Sequence, residues 1–222
     1  MIWLIVLAEL IFLLYAAVSR APYYLRGFTV LNMILITLFA PRLIEVGGMV
    51  TNVGTIFYSA VMVSQLLIFH LFGKEEVTHT IRMVLWMLLG FVGISGWINM
   101  LPVVQGNESY AAAMSAILSF PPAVVFASFF AFVIGQSFVI RCMASEEKRK
   151  PTIVFYSMCA IMAQIVDSVI FFPLAFGSFM PITEIPSLML AGIAAKGIFM
   201  AIIGAPISLI VYSGFFKREH QG

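Results

Sequence analysis

Long apolar runs, not alternation, organise this chain. Bounded by charges or by Gly, Pro and Asn clusters, they predict seven membrane helices, over 2–18, 28–46, 55–73, 83–104, 121–141, 153–176 and 188–214. Each run approaches the roughly 20 apolar residues needed to cross a hydrocarbon core about 30 Å thick. The second is interrupted at its far end by Pro41, Arg42 and Glu45, just before Gly47-Gly48. A short helix over 111–119, ahead of Pro121-Pro122, lies in the interface or extends the fifth span. The expected fold class is therefore all-α, a polytopic membrane helix bundle. It divides into an N-terminal anchor with a basic loop (1–27), a six-helix core (28–216) and a short tail (217–222).

Composition agrees with that pattern. Of 222 residues, 62% are hydrophobic and 10% charged, and mean hydropathy is +1.08, whereas a soluble domain is about half apolar and about a quarter charged. A soluble globular fold is excluded. The formal charge of +2 is too small and too dispersed for a nucleic-acid patch. Arg20, Arg26, Lys74, Arg82, Arg141, Lys148, Arg149, Lys150, Lys217 and Arg218 all follow odd-numbered spans, and the segments 47–54, 105–120 and 177–187 hold no Lys or Arg. Basic residues are retained on the cytoplasmic side, which predicts an external N-terminus, a cytosolic C-terminus and a multi-pass protein of the cell membrane. The first run has no basic leader and carries Glu9, so it is expected to be an uncleaved anchor, not a secretory signal. Cys142 and Cys159, flanked by apolar runs, are expected to be buried free thiols. Asn107-Glu108-Ser109 is a glycosylation sequon on the expected outer side.

The remaining charges are the informative residues. Arg42, Lys196, Glu9, Glu45 and Asp167 fall within or at the ends of spans, where each costs at least ~2.5 kcal/mol and by default faces the bundle interior. At 1.5 Å per residue, Asp167 lies about 21 Å above the inner start of its span and Lys196 about 12 Å below the outer start of its own. The two share a level in the outer half, with Arg42 at similar height and Gln65 near the middle. Gln164, Asp167, Ser168 and Phe171 follow i, i+3, i+4, i+7 and share one helical face. An amide, a carboxylate, a hydroxyl and an aromatic ring thus point into something polar. Asp167 with Lys196 reads as a clamp between helices or as a binding pair, and the readings are compatible. Arg42 and Glu45 are expected to pair at i, i+3 on their own helix. Asn32, Gln65, Asn99 and Gln136 suit ligand binding or interhelical hydrogen bonding equally. Pro173 and Pro206 would kink the last two spans. A weak repeat, Gln65, Glu75 and Glu76 against Gln136, Glu146 and Glu147, is as compatible with chance as with duplication.

The segments ASFFAFVIGQ, QIVDSVIFFPLAFG and AAKGIFMAIIGAPISLIVY resemble the vitamin-uptake-transporter-like family, whose best known members are queuosine-precursor transporters. Ser128, Gln136, Asp167, Ser168, Lys196 and Pro206 match that family residue for residue, and Asn32 resembles its early Asn. The carboxylates that the family carries before its Phe-Gly pair stand here as Leu66 and His70, and a further Asp as Val139. The resemblance covers 28–216 and implies uptake of a small planar heterocycle by alternating access, without a cofactor or a bound metal. Taken with the helical face and the depths above, the resemblance makes Asp167, Gln164, Ser168, Lys196, Gln136, Gln65, Asn32 and Phe171 the expected substrate-binding residues. A 7-deazaguanine offers adjacent N–H donors that a carboxylate such as Asp167 accepts as a charge-assisted pair. Asp167 could also carry a coupling proton. The expected partners are the lipid bilayer and the heterocycle, with a homo-oligomer or an energy-coupling subunit left open.

Rival readings remain at this point. A retinal-binding photoreceptor would share seven spans and a Lys in the last, with Lys196 as the Schiff-base residue and Asp167 as counterion. An enzyme would need a convergent set, and His70, His79 and His220 form no metal-binding motif. A substrate-binding subunit of an energy-coupling transporter would share the scale and the apolar bulk. A purely structural bundle is the last alternative.

Overall fold

The computed structural model describes residues 2–19, 21–118, 122–145, 153–178 and 180–210. Arg20, the basic run Lys148 to Lys150, Lys217 and Arg218 lie outside the described residues, as do 211–214 of the seventh expected span. The chain forms α1 (Ile2–Val18), α2 (Pro22–Phe39), β1 (Leu43–Val46), β2 (Met49–Asn52), α3 (Gly54–Phe72), α4 (Lys74–Asn99), α5 (Glu108–Leu118), α6 (Pro122–Ser145), α7 (Ile153–Phe176) and α8 (Ile185–Ile210). Six of the helices searched are long and apolar enough to span a membrane. The apolar α1 has 17 residues and packs against α2, α3 and α8. This is an all-α polytopic bundle and a multi-pass membrane protein.

Helix α3 organises it. Its residues Gly54 to Gln65 are all buried, the mark of a helix surrounded by protein on every side. It touches α1, α2, α4, α7 and α8. By contrast α4 and α5 lie at the periphery: Trp86, Leu89, Ile94 and Trp97 of α4 are exposed, and α5 buries no residue. In a membrane protein such surfaces face lipid and need no further partner. Helix α1 divides cleanly, with Val6, Glu9, Leu13 and Ala16 buried and Trp3, Leu7, Ile11 and Phe12 exposed on the other side.

The second expected span is corrected most. Pro22 occupies the start of α2, where its missing N–H costs nothing, so the helix begins six residues earlier than 28. It ends at Phe39, because Pro41 cannot continue it. Arg42 and Glu45 therefore do not pair along a helix. They sit exposed on an antiparallel hairpin with Glu45 opposite Val50 and Val46 opposite Met49. Its two-residue turn is Gly47-Gly48, with φ of 60° and 80°, a pair of positive angles that glycine adopts without strain and that matches the twist of the strands. Val53 N–H donates to the Arg42 carbonyl at 2.9 Å and closes the hairpin base. Asn52 and Gly54 then meet Ala40 so closely that a Cβ at Gly54 would stand 2.9 Å from Asn52 Oδ1. The hairpin packs its second strand on α8.

The fourth span starts at Lys74, not 83, so Lys74 and Arg82 are helical. Arg26 of α2 forms an ion pair with Glu76 of α4. The cysteines are not free thiols: Cys142 of α6 and Cys159 of α7 are joined in a disulfide, their Cα atoms 6.1 Å apart. The apolar flanks gave each residue's environment but not its neighbour. On the same α7, Phe172 packs against Gly192 of α8, and a Cβ at Gly192 would fall within that ring. Gly192→Ala is expected to destabilise the bundle by about 1–3 kcal/mol through overpacking. Phe172→Leu in the same chain should restore part of that loss, as read by unfolding in mixed micelles; additive losses would show that the two sites do not touch.

Candidate functional site

The polar face predicted for α7 is real and turned inward: Gln164, Asp167, Ser168 and Phe171 are all buried. Opposite them, α8 presents Lys196, and both charges are only 4% exposed. Lys196 Nζ lies 2.5 Å from Asp167 Oδ2 and donates to Ser168 Oγ at 2.9 Å. It also stands 4.3 Å from the centre of the Tyr58 ring on α3, a cation–π contact. Carboxylate, hydroxyl and π face together take the place of the water that the ammonium leaves behind. The Lys196 backbone is held as well, since the single Ser59 hydroxyl proton is shared between the Lys196 carbonyl at 3.1 Å and Thr55 O at 2.8 Å.

The pair opens onto a cavity of about 30 Å³, room for a water molecule or two. Met33 and Ile36 of α2, Thr55 of α3, Ser128 and Phe132 of α6 and Phe171 of α7 complete its wall, together with Tyr58, Asp167, Lys196 and the hairpin residue Asn52. The Tyr58 hydroxyl is buried beside the Asp167 carboxyl but has no hydrogen-bond partner of acceptable geometry. Gly135 of α6 lies against the pair, where a Cβ would stand at ordinary contact distance, 3.4 Å from Tyr58 Oη and 3.5 Å from Asp167 Cβ. Phe171, Phe172 and Phe176 form an aromatic cluster behind the wall, with Phe171 set edge-on to both neighbours.

Two glutamines extend the site along the bundle. Gln136 Nε2 donates to Met62 Sδ at 3.3 Å, and Gln164 Nε2 to Met200 Sδ at 3.1 Å. Thioether sulfur is a weak acceptor, and Gln136 Oε1 has no partner at all. Tyr58, Met62 and Gln65 follow i, i+4, i+7 on one face of α3. Both polar atoms of the wholly buried Gln65 lack partners. A column of underused hydrogen-bonding groups thus continues from the charged pair into the bundle.

Of the eight residues expected to bind substrate, Asp167, Lys196 and Phe171 line the cavity, and Ser168 holds Lys196. Gln136 and Gln164 stand on the helices around it, each against a methionine. Asn32 does not line the cavity; its amide bonds the Phe28 carbonyl at 3.1 Å and the Glu9 side chain. Arg42, expected at the same height, is on the hairpin surface. Tyr58, Thr55 and Asn52 were not anticipated. Only the spacing of Tyr58, Met62 and Gln65 could have pointed to the first of them. Among the described residues, no three His, Cys, Asp or Glu side chains converge as metal ligands.

A buried charged pair, a small cavity and a polar column thus lie together at the centre of an apolar membrane bundle. The family described as putative vitamin uptake transporters matches residues 52–211, and the chain belongs to it. It is a multi-pass membrane transporter of vitamin-like compounds. The match begins at the last residue of β2, so α1, α2 and most of the hairpin precede it. No curated protein and no solved structure matches the chain.

Breaking one side of a buried ion pair leaves an uncompensated charge, at a cost of about 3–5 kcal/mol. Lys196→Met is expected to destabilise by that amount, and Lys196→Met with Asp167→Asn to recover more than half of it. A double-mutant cycle on the unfolding free energy measures this coupling; a double variant as unstable as the sum of the singles would contradict it.

Proposed function

We propose that the chamber binds a small planar heterocycle with adjacent N–H donors, a queuosine precursor of the 7-deazaguanine type or a closely related compound, and carries it by alternating access. The observation behind this reading is that Asp167 already engages a cation through one oxygen, in a largely apolar wall, with the underused amides of Gln136, Gln164 and Gln65 on the helices around it. An incoming ring N–H and amino group would take the carboxylate as a two-point, charge-assisted pair. Lys196 would keep Ser168 and the Tyr58 face as it gives up its place on Asp167. Gln136 and Gln164 would exchange a methionine sulfur for a carbonyl or ring nitrogen of the cargo, a gain in hydrogen-bond strength on each side. Phe171 supplies an apolar edge for the ring.

The cavity of about 30 Å³ is too small for a bicyclic base, so loading requires the wall to part. Pro173 in α7 and Pro206 in α8 weaken those helices where they would bend. The hairpin lies at one end of the chamber, where Asn52 lines the cavity and the second strand packs on α8. With the N-terminus outside, as the distribution of basic residues suggests, the hairpin caps the external entrance. Energy then comes from a gradient, from trapping of the cargo after entry, or from a partner subunit.

The test is thermal stability of the purified protein against a panel of 7-deazapurines, purines, pteridines and flat vitamins. A ligand at 100 times its Kd stabilises by about 2.7 kcal/mol, well within reach of the measurement. One heterocycle is expected to raise the melting temperature of the wild type and to leave Asp167→Asn unshifted. Failure of the whole panel, or an equal shift in Asp167→Asn, would overturn the reading.

A further inference from the structure

Glu9 is the one charged residue of α1, and it lies in the middle of that helix's buried stripe. Its side chain is 7% exposed, and its Oε2 has no hydrogen-bond partner. It meets Asn32 of α2, a residue with no exposed surface. The Asn32 amide is committed to the Phe28 carbonyl and to Glu9, and its Oδ1 is also without a partner. Two buried acceptor oxygens therefore stand in one contact with no donor left for either.

Among the described residues, no cation supplies that donor. The charged or titratable side chains on the helices packed against α1 are Tyr23, Tyr24 and Arg26 on α2, Tyr58 and His70 on α3, and Lys196 on α8. Arg26 is paired with Glu76, and Lys196 with Asp167. Tyr58 belongs to the chamber. Tyr23, Tyr24 and His70 lie at the opposite end of their helices, two turns or more from the level of Asn32 and its partners. A carboxylate held at membrane depth without a counter-charge is expensive. A single proton removes the charge and turns one acceptor into the missing O–H donor.

The same helix connects this contact to the chamber. Asn32 is followed by Met33, which lines the cavity with Ile36 and Ala40 of the same segment. One turn earlier, Thr29 Oγ1 lies 2.7 Å from Ser64 Oγ, a hydrogen bond that holds α2 to α3. A displacement of α2 that widens the chamber while α1 stays on α3 and α8 would pull Asn32 from Glu9 and open that seam to water.

We propose that Glu9 is the site of a transported or exchanged proton: it holds H⁺ while the α1–α2 seam is shut and releases H⁺ to water when α2 moves, so that cargo movement is coupled to a pH gradient. This rests on the transporter reading above, and it moves the coupling proton from Asp167 to a helix that precedes the family match. The proton balance is simple, with one H⁺ bound to the carboxylate on one side and one lost on the other.

Two measurements test it. Infrared spectra of the purified protein at neutral pH, which need no cargo, should show a protonated carboxyl band that is lost in Glu9→Gln and retained in Asp167→Asn. Asn32→Leu, which leaves the carboxyl in place, should shift that band. In proteoliposomes loaded with a 7-deazaguanine, an imposed pH gradient should accelerate uptake by the wild type. Glu9→Gln should lose that acceleration and keep cargo-for-cargo exchange, which also shows that the variant is folded. Absence of the band from the wild type, its persistence in Glu9→Gln, or undiminished gradient acceleration in Glu9→Gln would overturn the proposal. Failure of every heterocycle to bind would instead sink the transported cargo while the infrared result still reports on Glu9.

Discussion

An ammonium group with no water to solvate it is the constraint on which this bundle turns. Lys196 sits where hydrocarbon would surround a poorly assembled helix, so the fold has to bring a substitute for bulk solvation to one point. Three elements contribute: the Asp167 carboxyl and Ser168 hydroxyl from α7, the Tyr58 ring from α3, and the cavity itself, which leaves room for little more than water. Packing follows from that requirement. Gly135 of α6 lies against Tyr58 and Asp167, and Ser59 ties α3 to the α8 backbone at Lys196 itself. A buried ion pair adds little net stability over a well-packed apolar contact, while breaking one side of it is costly, so the pair constrains how the helices assemble more than it stabilises them.

Polarity elsewhere in the bundle has the same incomplete character. Gln136 and Gln164 donate to sulfur, Gln65 has no partner, and Glu9 faces an amide that cannot satisfy both oxygens. In water-soluble cores such groups are nearly always paired. Here they cluster around one chamber and one neighbouring seam, while the exposed faces of α1 and α4 carry mostly aliphatic and aromatic side chains. Unused hydrogen-bonding capacity is thus concentrated inside the bundle.

Much of this could be read from the residues. Counting 1.5 Å per residue placed Asp167 and Lys196 at one height, and helical spacing put Gln164, Asp167, Ser168 and Phe171 on a single face, because both inferences need only regular geometry. The hairpin was hidden for the opposite reason. LIEV and MVTN are too short and too apolar to stand out beside an adjoining membrane run, and only Pro41 and Gly47-Gly48 marked the break. Tyr58 was invisible because an aromatic residue in an apolar span has no signature until its neighbours in space are known. The Cys142 to Cys159 bond and the Glu9 to Asn32 contact failed to appear for the same reason, since each depends on how two helices are rotated against each other.

The hydrogen bond from Ser59 to the carbonyl of Lys196 joins residues 137 positions apart. During synthesis α3 enters the membrane long before α8 exists, and Asp167 of α7 arrives while its cation has yet to be translated. Until the last helix emerges, Tyr58, Ser59 and Asp167 must share a half-built interior with lipid, water or an insertion chaperone. The final span is thus the keystone of biogenesis, and a ribosome that stalls shortly before Lys196 would release a chain whose centre is still charged and open.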